Sequence, residues 1–139
     1  MYYFIEPEVA GRLGDSTVID VSVHPPVVSH LEYKFEGWLG DDILESFPCF
    51  IVSSRLAEKL ISDKFTGYEL GPVTVSVAEE VSEIFSQALL PRFFWLKIVG
   101  GAGFDDFGIA NDFRLVVSRR VKDMAEYFDF KYADFELYV

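Results

Sequence analysis

The chain has 139 residues, half of them hydrophobic, and its 23 acidic against 12 basic residues give a formal net charge of −11. That length and apolar content suit a single domain spanning residues 1–139 with a sizeable core. The acidic balance disfavours nucleic acid or an anionic membrane surface as partner and favours a basic one, although solubility alone would also account for it.

In chain order, Tyr2–Ile5 reads as a short strand closed by Pro7, and Val18–Val23 as a second closed by Pro25-Pro26. The start MYYFIEPEVAG lacks the basic region of a secretory leader, and no apolar run is long enough to span a bilayer, so a cytoplasmic protein is expected. Residues Leu31–Glu36 alternate apolar and charged, the pattern of an antiparallel strand with one solvated face. A turn region over Gly37–Ser46 holds Trp38, Gly40 and the pair Asp41-Asp42. Phe50–Val52 then reads as a buried strand, and the lone Cys49 beside it as a small hydrophobe with no internal disulfide partner.

Ser53 or Ser54 can cap a helix that carries Leu56, Ala57, Leu60 and Ile61 on one stripe, with Gly67 freeing the chain beyond it. Val73, Val75 and Val77 alternate as a strand. Val81, Ile84, Phe85 and Ala88 keep helical spacing, with Glu79, Glu80 and Glu83 at the positive end of the helix dipole and Pro91 as the stop. Phe93–Val99 is a nearly continuous apolar run, the signature of a strand buried on both faces, and Gly100, Gly101 and Gly103 release the backbone into Asp105-Asp106. Leu115–Val117 is another strand. Ser118 caps a helix bearing Val121, Met124, Ala125 and Phe128.

An internal echo runs through this order. Asp41-Asp42 precedes Val52-Ser53-Ser54-Arg55 by about the interval separating Asp105-Asp106 from Val117-Ser118-Arg119-Arg120. Each copy continues into an amphipathic helix, a Phe (Phe65, Phe130) and an apolar-acidic strand, Tyr68-Glu69-Leu70 or Phe135-Glu136-Leu137. The expected fold is therefore α+β: one mixed sheet of about six to eight strands with two or three short helices, built as two β-α-β-like halves sharing that sheet.

The segment GGAGFDDFG offers paired acids that could bind a cation or act as a general acid and base, the basis of a hydrolase alternative. Adjacent side chains of an extended segment point to opposite faces, however, so a turn or a partner contact is the preferred reading. The same stretch lacks the Lys-Ser/Thr of a phosphate loop. His24 and His30 flank Pro25-Pro26 without a ligand spacing. Arg119 or Arg120 is placed to pair with Asp105 or Asp106. No catalytic, cofactor-binding or metal-ligating residue is assigned, and no cofactor is expected; the candidate partner-binding residues are Trp38, Asp41, Asp42, Asp105, Asp106 and Phe107.

The residues FFWLKIVGGAGFDDFGIANDFRLVVSRRVKDM, with the earlier FPCFIVSSRLAEKL, resemble small bacterial immunity proteins of polymorphic toxin systems. The resemblance rests on a tryptophan strand, a DDF turn and a Val-Val-Ser-x-Arg helix start. It implies an α+β, non-enzymatic domain that binds and blocks a cognate toxin. An acidic, cytoplasmic binding protein for such a toxin is thus the leading expectation, with a homodimerising structural or regulatory module as a further alternative.

Overall fold

The computed structural model describes residues 1–139. The expected single mixed sheet is overturned: the protein is mostly β, with thirteen strands in four sheets, two α-helices and three short 3₁₀ turns.

Two four-stranded sheets carry the echo. In the first half, β6 (Ile43–Ser46) and β7 (Cys49–Ser53) form a hairpin, followed by α1 (Ser54–Ser62) and β8 (Tyr68–Gly71). In the second, β11 (Phe107–Ile109) and β12 (Leu115–Ser118) form the hairpin, followed by α2 (Arg119–Met124) and β13 (Asp134–Tyr138). Each half is thus a ββαβ unit.

Neither unit completes its own sheet from its own contiguous segment. The inner strand of the second sheet is β1 (Tyr2–Glu6), antiparallel to both β12 and β13, although it lies ahead of the first unit in the chain. The inner strand of the first sheet is β10 (Phe93–Ile98), antiparallel to β7 and β8, and it leads directly into the second unit. The sheet orders β6-β7-β10-β8 and β11-β12-β1-β13 therefore match position for position. The halves do not share a sheet; they exchange strands between two.

Both helices and one face of each four-stranded sheet meet in one core that includes Ile5, Val52, Leu60, Leu96, Phe107, Val117 and Val121. Mixing residues of both halves in one core leaves neither with a hydrophobic face of its own to expose. The other face of the first sheet, through Leu44, Ile51, Phe93 and Trp95, packs on Leu31, Tyr33 and Phe35. Those residues belong to or adjoin the three-stranded sheet of β2 (Gly11–Leu13), β5 (Glu32–Phe35) and β9 (Thr74–Val77). Burial on two faces explains why every residue of β7 is buried. The remaining hairpin joins β3 (Val18–Asp20) to β4 (Val27–His30).

Two further expectations are corrected. Strand β5 pairs antiparallel with β2 but parallel with β9, and its charged side is solvated only in part, with Lys34 half-buried and Glu36, just beyond the strand, exposed. Glu32 is buried, accepting hydrogen bonds from the Ser16 N–H (2.9 Å) and from the hydroxyls of Ser16 (2.8 Å) and Ser76 (2.5 Å). These donors hold its pKa down at about 2. The helix expected over Val81–Ala88 is only two 3₁₀ turns, Glu79–Val81 and Gln87–Leu89. Of the apolar stripe only Phe85 reaches the core, stacking on Phe35, while Ile84 is 85% exposed, and a short helix anchored at one residue is marginal in water.

The glycine-rich stretch serves close approach. A Cβ on Gly108 would lie 2.2 Å from the backbone N of Ala102, and one on Gly67, at φ +93°, would lie 2.2 Å from the Phe107 carbonyl oxygen. Three chain segments touch there through bare backbone, and Gly108→Ala must push them apart.

Trp95→Ala should cost about 3–5 kcal/mol, as a core truncation facing Leu31 and Tyr33, whereas Ser118→Ala should cost about 0.5–2 kcal/mol, as a lost helix cap. Denaturant midpoints check the order; a Trp95→Ala variant as mild as a surface change would contradict the two-faced burial of the first sheet.

Candidate functional site

The paired acids are where the two halves lock together. In the first half Asp42 precedes β6 and meets the cap of α1. Its carboxylate accepts the Ser53 hydroxyl (2.5 Å) and the Arg55 guanidinium (2.9 and 2.6 Å), and its carbonyl accepts the Ser53 N–H (2.8 Å). Ser53 Oγ in turn accepts the N–H of Leu56, capping the helix. In the second half Asp106 precedes β11 and repeats this arrangement. Its carboxylate accepts the Ser118 hydroxyl (2.6 Å), its carbonyl accepts the Ser118 N–H (2.9 Å), and Arg120 Nη2 lies 3.5 Å away. Ser118 caps α2 through the Val121 N–H.

The same carboxylates then reach across the seam. Asp42 also accepts the N–H of Asp129 (2.7 Å), where the chain leaves the second helix; Asp106 accepts the N–H of Thr66 (2.9 Å), where the chain leaves the first. The arginines cross too: Arg55 lies 5.1 Å from the centroid of the Phe128 ring and Arg120 3.9 Å from that of Phe65.

This geometry relocates most of the expected partner-binding set. Asp41 is fully enclosed, Asp42 is 3% exposed and Phe107 is 2% exposed, so none offers side-chain surface to another protein. The Asp41 carboxylate accepts the N–H groups of Lys131 (3.0 Å) and Tyr132 (2.8 Å). Asp105 accepts the Gly101 N–H (2.8 Å) and closes the glycine turn. Of the two arginines considered, Arg120 meets Asp106, while Arg119 pairs with Asp123. The carboxylates of Asp105 and Asp106, on which the hydrolase alternative depends, thus have internal donors.

Trp38 differs from the rest. Its indole N–H donates to the Asp41 carbonyl (3.0 Å) and its ring meets Phe93 edge-on, but one side remains open. It lines a cleft of about 530 Å³ with Leu89, Leu90, Arg55 and Asp129. Leu89 is 67% exposed, and the adjoining segment Ala78–Leu90 carries Glu79, Glu80 and Glu83 with no basic residue. Sequence reasoning read this segment as a helix and did not single out its surface; the signal was a helical stripe with no second apolar run to cover it.

A second acidic group lies at the β1–β2 connection. Glu8 is buried and accepts the N–H groups of Leu39 (2.8 Å) and Asp41 (3.2 Å). Burial raises the pKa of Glu8 against the pull of those donors, and that of Asp41 against the pull of the Tyr132 and Lys131 N–H groups. Glu45, half-buried near Glu6, is pushed up to about 7, chiefly by burial and then by the Glu6 charge. Cys49 is buried and its thiol is pushed up to about 12, which removes it as a nucleophile near neutrality.

Comparison of the chain with protein-family models, curated proteins and solved structures finds no match.

The acids give the fold a signed pH response. A carboxylate with a raised folded pKa contributes stability that is fully present below its unfolded value and is lost as pH rises through the folded one; Glu45 places that loss around pH 7, with Glu8 and Asp41 acting in the same direction. Glu32 has the opposite sign, its contribution being present above about pH 4.5 and lost toward pH 2. Unfolding midpoints should therefore fall as pH rises from about 4.5 to about 7 and level off above, and Glu45→Gln should flatten much of that fall. An unchanged slope in Glu45→Gln would remove Glu45 as its source.

Proposed function

We propose that this is a non-enzymatic, acidic binding protein acting in the cytoplasm as the immunity partner of a toxin domain with a basic surface. The observation that carries the reading is the open segment Ala78–Leu90. It presents two aliphatic side chains to solvent, Ile84 and Leu89, among three exposed glutamates, and it runs into the cleft lined by Trp38. An aromatic anchor beside exposed aliphatic residues, rimmed by one sign of charge, is the composition of a binding hot spot. The likeness of the Trp95 strand and DDF turn to immunity proteins supports the same reading. No helix is long and apolar enough to cross a membrane.

Charge supplies the kinetics. The steering field is that of the whole −11 chain; with the Asp42 and Asp106 carboxylates turned inward, Glu79, Glu80 and Glu83 are the acids that flank the proposed contact. Such a field is screened over ~8 Å at physiological salt.

The direct test begins with the neighbouring genes: if one encodes a toxin domain, this chain should rescue cells expressing it, and stopped-flow binding to that domain follows. The on-rate should fall steeply with ionic strength and with joint Glu79→Gln, Glu80→Gln and Glu83→Gln substitution, but little with Asp15→Asn and Asp20→Asn. Ile84→Asp or Leu89→Asp should raise the off-rate, each costing about 2 kcal/mol or more of affinity without altering the unfolding midpoint. An on-rate indifferent to salt, or full affinity in both aspartate variants, would refute this contact surface.

A further inference from the structure

We propose that a groove at the open end of the β7–β10 pair binds a medium-chain fatty carboxylate, with the alkyl chain inside and the carboxylate at Lys97. Three turns converge to form it. Pro25 and Pro26 come from the β3–β4 connection, Phe47 and Pro48 from the β6–β7 turn, and Phe113 from the β11–β12 turn. Trp95 and Ile98 of β10 line the same space. The volume, about 320 Å³, falls at the small end of the range of small-molecule pockets.

Two features select the ligand. The first is composition: among fourteen lining residues, nine are hydrophobic and Lys97 is the one that carries a formal charge at neutrality. The second is the state of that lysine. Its ammonium folds back over the Trp95 ring, 4.6 Å from the centroid and beside the bare backbone of Gly71 on β8, so it must swing across the ring to meet a ligand head; it forms no ion pair, even with Glu69, its cross-strand neighbour on β8. In a chain with 23 acids, a half-buried cation held against an aromatic wall and lacking a carboxylate is complementary to an anion from outside. A hydrocarbon chain loses water against the proline and phenylalanine walls as the head meets Lys97. A neutral or cationic amphiphile would gain the first contribution without the second.

Calorimetric titration of the full chain below micelle-forming concentrations tests this, using decanoate, decanol and decyltrimethylammonium. Decanoate should bind one per chain at least about tenfold more tightly than either analogue, because a charged hydrogen bond contributes that much. Affinity should rise about fourfold per methylene from octanoate to decanoate. Lys97→Met keeps the apolar stem and should reduce decanoate to the level of decanol. Ser29→Phe, at an exposed position on the groove wall, should fill the space and abolish binding of all three while far-UV circular dichroism stays unchanged. Equal affinity for the three amphiphiles, undiminished decanoate binding in either variant, or no saturable decanoate binding would overturn the proposal.

Discussion

The carboxylates of Asp42 and Asp106 are the constraint on which the rest of this structure depends. Each joins three things at once: the start of an edge strand, the cap of a helix in its own half, and the backbone N–H where the chain leaves the helix of the other half. A buried charge is tolerable only when donors surround it, and losing one donor strands the rest. Neither half can therefore reach its final hydrogen bonding without the other. Aspartate suits the position because its short side chain can bond local backbone and a cap serine together, where glutamate would overreach.

The strand exchange imposes the same mutual dependence on the hydrophobic side. Sheet β6-β7-β10-β8 lacks its inner strand until residue 93 is in place, and β11-β12-β1-β13 needs the first six residues of the chain. An edge left open in place of β1 or β10 would expose unpaired donors and acceptors along two flanking strands at once. Crossing the strands thus converts two weak four-stranded units into one cooperative core, drawn from Ile5 at one end of the chain and Phe130 at the other. The cost is kinetic, since pairing β1 with β13 closes a loop spanning almost the whole chain before any contact rewards it.

Local signals in the sequence were read well where one segment decides the outcome. Ser53 and Ser118 as caps, the strand containing Trp95 and the Asp–Ser–Arg echo all follow from neighbours within about fifteen residues, and the echo has a physical basis because both copies solve the same capping problem. What the sequence does not carry is the identity of distant partners. Alternation marks Leu31–Glu36 as a strand, but Ser16 and Ser76, which make burial of Glu32 possible, lie 16 and 44 residues away. In the same way the Asp pairs looked like exposed acidic turns, because their backbone donors at residues 66, 129, 131 and 132 are remote in the chain. The count of sheets failed for one reason: periodicity reveals which residues face a core but not which core.

The division of the acids between two tasks separates structure from recognition. Asp41, Asp42, Asp106, Glu8 and Glu32 are held by internal donors, and substituting any of them tests folding first. Glu79, Glu80 and Glu83 are exposed, and only Glu80 is engaged by another side chain, that of Arg12, which it shares with Glu36. Charge placed for solubility alone would have no reason to gather around uncovered aliphatic side chains, because burying Ile84 and Leu89 would lower the apolar exposure more directly. Their coexistence is economical if a partner covers them, with the aliphatic pair held in the complex and the glutamates accelerating its formation. The internal acids contribute to the long-range field of the protein, but their fixed hydrogen bonds prevent them from turning toward a partner, so recognition at short range falls to side chains outside the seam between the halves.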